Sequence, residues 1–101
     1  SRIYLREEVL RFAVEMERCL RDNDHKGGWK DCLPQTLFCR LVEEVEEVDE
    51  LLNRSPGSCI GELTEAPRLQ LVRECADVAN FAMMVAETGS KRRSISVEEA
   101  L

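Results

Sequence analysis

The sequence predicts an all-α protein: an antiparallel helical bundle of three main helices and a short C-terminal helix, completed by dimerisation. Three long segments carry apolar residues at intervals of three and four, which is the spacing of one helix face. Only three prolines and five glycines occur among the 101 residues. A chain of this length forms one small domain, 1–101, whose core is marginal alone, so we expect a partner subunit.

The first helix is predicted over residues 2 to about 22. It ends at a cluster of turn-forming residues over 22–28, and Trp29 and Lys30 follow. Pro34 disfavours a helical conformation in the residue before it, so a loop separates the first two helices. The apolar residues that recur at intervals of three and four along the first helix are Val9, Phe12, Ala13, Met16, Cys19 and Leu20.

The second helix is predicted over about 35–53, with an apolar stripe centred on Val45. At about 100° per residue, Glu44 lies on the margin of this stripe and Glu47 lies one step further round. We predict that the stripe is buried. Its other members are Phe38, Leu41, Val42, Val48 and Leu52.

The third helix is predicted from Pro67 to about residue 87, after a loop over 54–66. It is apolar almost all round, which is typical of a buried inner helix. Glu74, Asp77 and Asn80 nevertheless form a polar stripe along it at intervals of three residues. Ionised carboxylates on a buried helix are unfavourable unless a cation compensates them, so this stripe indicates a function.

Two features follow the third helix. Residues 91–93, Lys-Arg-Arg, form a basic turn that either reaches phosphate groups or remains solvated. Ser96 then resembles the N-cap of the short C-terminal helix.

Charge and cysteine usage exclude several classes of protein. The net charge of −6 argues against a nucleic-acid binder but not against a nucleotide ligand, because metal ions reverse the sign of an acidic site. No apolar run is long enough for a membrane span. The five cysteines contain no CxxC pair, which argues against a disulfide framework or a zinc ribbon. We expect a cytoplasmic protein with reduced thiols.

Four carboxylates occur as two pairs with a spacing of three residues. Glu44 and Glu47 share one face of the second helix, and Glu74 and Asp77 share one face of the third. If these helices pack antiparallel, the four groups can meet. Oxygen-only clusters suit Mg²⁺, with Mn²⁺ as a substitute, and Mg²⁺ commonly shares its shell with substrate phosphates.

Two simpler interpretations stay open at this point. The acidic residues of the second helix are also consistent with a solvated face. Arg40 or Arg73 is placed to neutralise part of the cluster as a buried ion pair.

The two halves of the carboxylate pattern resemble the EExxE…ExxD signature of the MazG-like all-α nucleoside triphosphate pyrophosphohydrolases. They are EEVEE at 43–47 and ECAD at 74–77. ADVANF at 76–81 and HKGGW at 25–29 extend the resemblance, which covers about 5–88.

The resemblance implies Mg²⁺-dependent hydrolysis of (deoxy)nucleoside triphosphates to monophosphate and pyrophosphate, as nucleotide-pool house-cleaning. It also implies that Glu44, Glu47, Glu74 and Asp77 are the metal ligands. For the carboxylate that accepts the proton of the attacking water, we favour Glu47 and then Glu43. The family is typically a dimer or a dimer of dimers.

The expected nucleotide contacts come from the third helix and from the loop that precedes the second helix. Lys26 and Lys30 are candidate phosphate ligands, with plain surface charge as the alternative. Trp29 either packs on the base or plugs the end of the bundle. Asn80 is expected to hydrogen-bond the sugar or the base.

Two other functions remain open from the sequence. A phosphoribosyl-ATP pyrophosphohydrolase of histidine synthesis shares the chemistry. A non-catalytic regulatory module would retain the carboxylates and bind nucleotides without turnover.

Overall fold

The computed structural model describes residues 4–53 and 65–90, and these residues contain only helices and loops. The prediction of an all-α chain is therefore confirmed. The predicted basic turn at 91–93 and the helix after Ser96 lie outside the described residues. The elements are α1 (Glu7–Asn23), a 3₁₀ turn (Asp24–Lys26), α2 (Pro34–Asn53) and α3 (Glu65–Gly89).

The helix ends follow local chemistry. Glu7 and Glu8 occupy the first turn of α1, where negative charge interacts favourably with the helix dipole. Pro34 is the first residue of α2, a position at which its missing N–H loses no hydrogen bond. Pro67 likewise lies in the first turn of α3. The first helix starts five residues later than the sequence predicts, and the other boundaries agree to within two residues.

α3 is the central helix, because it packs against both α1 and α2. Its C-terminal Gly89 lies against the ring of Pro34, at the start of α2. Halfway along, the Asp77 carboxylate approaches that of Glu44. These two contacts show that α2 and α3 run antiparallel, as predicted.

α1 also runs antiparallel to α3, and therefore in the same direction as α2. The Asn80 amide donates a hydrogen bond to the Met16 carbonyl, 3.0 Å away, and the Cys19 thiol hydrogen-bonds to Asp77. The connection over 24–33 must consequently run back along the bundle for roughly 20 Å before α2 begins. This crossover connection brings loop residues alongside the faces of α1, α2 and α3.

The prediction that the stripe centred on Val45 is the buried face of α2 is wrong. Val45, its centre, is 48% exposed in the single chain, whereas Glu44 is only 6% exposed. α3 packs against the adjacent face, on which Leu37, Glu44 and Leu51 follow one another at intervals of seven residues. The rotation leaves an exposed apolar face on α2 formed by Phe38, Val42 and Val45.

The polar stripe of α3 faces the interior. Asn80 is buried together with Ala76 and Met84, while Leu69 and Val72 near the start of the helix are exposed. α3 is therefore the central helix, but part of its apolar surface is exposed in the single chain. No helix in the described ranges is both long and apolar enough to cross a membrane.

Candidate metal centre and ligand cavity

Three carboxylates from two helices meet between α2 and α3. Glu44, Glu74 and Asp77 each offer one oxygen atom, and these atoms lie within 4.8 Å of one another. Glu44 is buried, and the other two side chains are half-buried. We call these three residues the carboxylate cluster. Their oxygens can hold a metal ion, and the donor set suits a hard cation.

The electrostatics of Glu44 show that the cluster lacks positive charge. The pKa of Glu44 is raised from 4.5 to about 7, chiefly by burial and in addition by the nearby Glu47 and Asp77 carboxylates. The Arg40 guanidinium opposes this rise without cancelling it. A group with this pKa is half-protonated near neutral pH and becomes fully ionised when a cation binds beside it.

The two α3 carboxylates are perturbed in the same direction. Burial raises the pKa of Glu74, with Glu47 and Asp77 adding to the effect and a hydrogen bond from Gln70 opposing it. Burial also raises the pKa of Asp77, and the charge of Glu47 adds to it. Glu47 thus acts on every member of the cluster, although its own side chain is exposed.

Two buried oxygens have no hydrogen-bond partner in the part of the chain that the structure describes. They are Glu74 Oε2 and Asn80 Oδ1. The Asn80 amide nitrogen must face the Met16 carbonyl, since a carbonyl only accepts, so its oxygen is the acceptor left over. Buried acceptors without donors are unfavourable, and a bound cation and a ligand donor would satisfy them.

A cavity of about 350 Å³ opens onto the carboxylate cluster. This volume is within the range of pockets that hold small organic ligands. The cavity has an acidic part and an apolar part, and Asn80 also lines it. The acidic part contains Glu44, Glu47, Glu74 and Asp77, and the apolar part contains Leu20, Trp29, Phe81 and Met84.

The crossover connection forms one wall of this cavity. Lys26, Gly27 and Trp29 line it, and Trp29 is half-buried there. Gly27 has φ of +98°, a conformation that glycine adopts at no steric cost and that turns the chain out of the 3₁₀ turn. Lys30 is exposed and is not among the lining residues, so the structure does not bring it to the site.

The acidic residues of α2 separate into two groups. Glu44 and Glu47 line the cavity, whereas Glu43 does not line it and pairs with Arg40. Arg40 also contacts Glu44, with Nη2 3.3 Å from Oε1, so it is the arginine that partly neutralises the cluster. Arg73 shows no ion pair to the cluster in the described ranges.

Phe81 and Arg40 are two of the lining residues for which the sequence pattern predicts no ligand-binding role. Phe81 looked like one more apolar residue of an inner helix, and nothing in the spacing separated it from its neighbours. Arg40 precedes Glu43 and Glu44 by three and four residues, which is the spacing of ion pairs on a helix. This spacing is the feature of the sequence that indicates its contact with the cluster.

Comparisons of the chain with protein-family models, with curated proteins and with solved structures gave no significant match.

Proposed function

We propose that this protein is a Mg²⁺-dependent nucleoside triphosphate pyrophosphohydrolase of the MazG-like type, which converts (deoxy)nucleoside triphosphates to monophosphates and pyrophosphate. The observation that carries the proposal is the carboxylate cluster, buried at the edge of a ligand-sized cavity with an unpartnered oxygen on Glu74. A buried set of acids costs stability, so its presence favours a cationic ligand.

The residues present fit Mg²⁺ in chemistry. All the cluster donors are carboxylate oxygens, and the adjacent cavity leaves room for phosphate oxygens and water. When bound, Mg²⁺ supplies charge neutralisation for the triphosphate and lowers the pKa of a bound water. Glu44, Glu74 and Asp77 would hold the ion. Glu47, which is not one of these three but hydrogen-bonds to Glu44 and Glu74, would be the fourth ligand.

Glu47 is the candidate general base in this proposal. It lines the cavity and influences all three cluster carboxylates, and its exposed side chain can release a proton to solvent. Glu43 is less well supported because it is paired with Arg40 outside the cavity lining.

The other lining residues suggest how the nucleotide is oriented. Lys26 lies near enough to Asp77 to lower its pKa, which places positive charge beside the cluster for the phosphates. Trp29 and Phe81 offer aromatic faces for the base. The Asn80 oxygen can accept a hydrogen bond from a sugar hydroxyl or a base N–H.

We also propose that the working unit is a homodimer or a dimer of dimers in the cytoplasm. The exposed apolar face on α2, the exposed Val9 and Leu10 at the start of α1 and the exposed Leu5 just before it would be covered by a second subunit. Cys32 and Cys39 are exposed free thiols, which fits a reducing compartment.

The test is pyrophosphate release from a panel of NTPs and dNTPs with Mg²⁺, comparing wild type with Glu74→Gln. The substitution keeps the size of the side chain and removes a cluster charge, so we expect a loss of at least about 100-fold. Glu46→Gln is the matched control, because Glu46 is an exposed glutamate of α2 that does not line the cavity.

Equal release from wild type and Glu74→Gln would refute the assignment. If no substrate is cleaved but Mg²⁺ and a nucleotide together raise the melting temperature of the wild type, the protein is a nucleotide-binding module without turnover. Phosphoribosyl-ATP belongs in the substrate panel, and no feature of the cavity selects it over the other nucleotides.

A further inference from the structure

Arg40 places a guanidinium group at the boundary between the acidic and aromatic parts of the cavity. Its Nη2 lies 3.3 Å from Glu44 Oε1, and its Nη1 pairs with Glu43. Its Cζ lies 5.3 Å from the centroid of the Phe81 ring, a cation–π distance. Two carboxylates of its own helix and one ring of α3 therefore hold the group at the cavity.

The carboxylate that Arg40 contacts is also a member of the carboxylate cluster. Glu44 cannot give its full charge to a guanidinium and to a divalent cation at the same time, so the two compete for it. Among the residues that the structure describes, the pair of Arg40 with Glu44 is the salt bridge that a basic side chain forms with the carboxylate cluster. Arg40 is thus the group whose environment changes most directly when a cation binds.

The charges around the cavity indicate which anion the Arg40 guanidinium would contact after it leaves Glu44. Among the residues that the structure describes, the lining contains five acidic side chains but only two basic ones, Arg40 and Lys26. A triphosphate bound beside the cluster needs cationic partners in addition to the metal. The planar fork of an arginine matches two phosphate oxygens at once, which a lysine cannot do.

We propose that Arg40 is the counter-ion of Glu44 in the metal-free protein, and that cation binding to the cluster releases it to contact the phosphate chain of the ligand. This inference rests on the proposed function. Glu43 and the Phe81 ring keep the guanidinium at the cavity edge, so a change of rotamer is enough for the transfer. Arg40 is then a ligand-binding residue that exchanges one anionic partner for another.

The inference predicts effects of opposite sign for one substitution. Arg40→Gln removes the competitor for Glu44 and a positive charge near the ion, so we expect about tenfold tighter binding of a divalent cation. The same substitution removes a charged phosphate contact, so we expect at least about tenfold weaker binding of a polyphosphate. A merely structural role would not move the two affinities in opposite directions.

The chain carries its own probe for the first measurement. Trp29 is the single tryptophan and lines the cavity, so Mn²⁺, a paramagnetic quencher, should reduce its fluorescence on binding. The second measurement is calorimetric titration with the Mg²⁺ complex of tripolyphosphate, a probe that has no base. Arg21→Gln is the matched control, because Arg21 forms a helical ion pair with Glu17 and does not line the cavity.

Circular dichroism confirms that each variant is folded, and Arg40→Lys is a second variant that keeps the charge. We expect it to recover part of the polyphosphate affinity. Unchanged affinities in Arg40→Gln, or changes of both in the same direction, would overturn the inference about Arg40 while leaving the proposed function intact. If Mn²⁺ does not quench the wild type, both the inference and the proposed function fail.

Discussion

Replacing Glu44 with glutamine removes a negative charge from the buried face of α2 with almost no change in side-chain size. In the folded, metal-free protein the pKa of Glu44 is about 7, against an ordinary value of 4.5. Because the folded pKa lies above the unfolded one, the protonated carboxyl stabilises the fold. That stabilisation is fully present below pH 4.5 and is lost as the pH rises through about 7.

The pKa difference sets the size of the effect. At about 1.4 kcal/mol per pKa unit, ionising Glu44 in the fold costs at most about 3 kcal/mol at pH 8. Glutamine does not incur this cost, so Glu44→Gln should be more stable than wild type by up to that amount. For a domain of this length, a difference of that size raises the melting temperature by roughly 12–24 °C.

The assay is thermal unfolding followed by circular dichroism in EDTA, at pH 8 and at pH 4.5, with equal protein concentrations. We expect the variant to exceed wild type clearly at pH 8 and by little at pH 4.5. Glu46→Gln, a substitution of an exposed glutamate on the same helix, should match wild type at both. Millimolar Mg²⁺ should raise the melting temperature of wild type but not of Glu44→Gln.

Two results would refute this reasoning. The first is a variant that melts at or below the wild-type temperature at pH 8 in EDTA, since a buried uncompensated charge would then be absent. The second is a gain of equal size at both pH values, because that gain would not arise from ionisation of Glu44.

Three further predictions concern other residues. Glu47→Gln should lower pyrophosphate release about 100-fold or more with Mn²⁺ quenching of Trp29 retained; loss of quenching would make Glu47 an essential ligand instead. Asn80→Leu should lower the free energy of unfolding in urea by about 1 kcal/mol, because the hydrogen bond from Asn80 to the Met16 carbonyl is lost, and an unchanged value would contradict that contact. Val45→Lys should reduce the molar mass in sedimentation experiments to that of one chain, whereas equal masses would place the subunit contact elsewhere.

The parts of the fold that were predictable from sequence are those that depend on local spacing. The intervals between apolar residues gave three helices, and the intervals of three residues placed Glu74 beside Asp77 on one face. The antiparallel packing of α2 and α3 then brought Glu44 to them, as the paired carboxylates required.

The face of α2 that is buried was not predictable in the same way. The helix has two adjacent apolar sides, one containing Leu37 and Leu51 and one centred on Val45, and local periodicity weights them by hydrophobicity alone. The choice is made by α3, whose polar stripe needs the side on which Glu44 lies. A sequence pattern that treats a buried glutamate as unfavourable will therefore choose the wrong side.

The role of Arg40 depends on both kinds of information. Its ion pairs with Glu43 and Glu44 follow from helical spacing within α2, but the ring beneath it belongs to Phe81 of α3. No periodicity within one helix reports which residue of another helix lies opposite. For the same reason, the sequence identified Trp29 and Lys26 as candidates but could not separate Lys26 from Lys30.

The position of the carboxylate cluster also bears on why the chain would need a partner. Glu44 lies midway between the buried Leu37 and Leu51, where an apolar residue would otherwise contribute to the contact with α3. Placing a site there weakens a core that is small because the chain is short. Covering the exposed apolar face on α2 with a second subunit and neutralising the cluster with a cation would each restore part of that loss. Ligand binding and subunit association should therefore both raise the stability of the fold, the first by neutralising the buried acids and the second by burying more apolar surface.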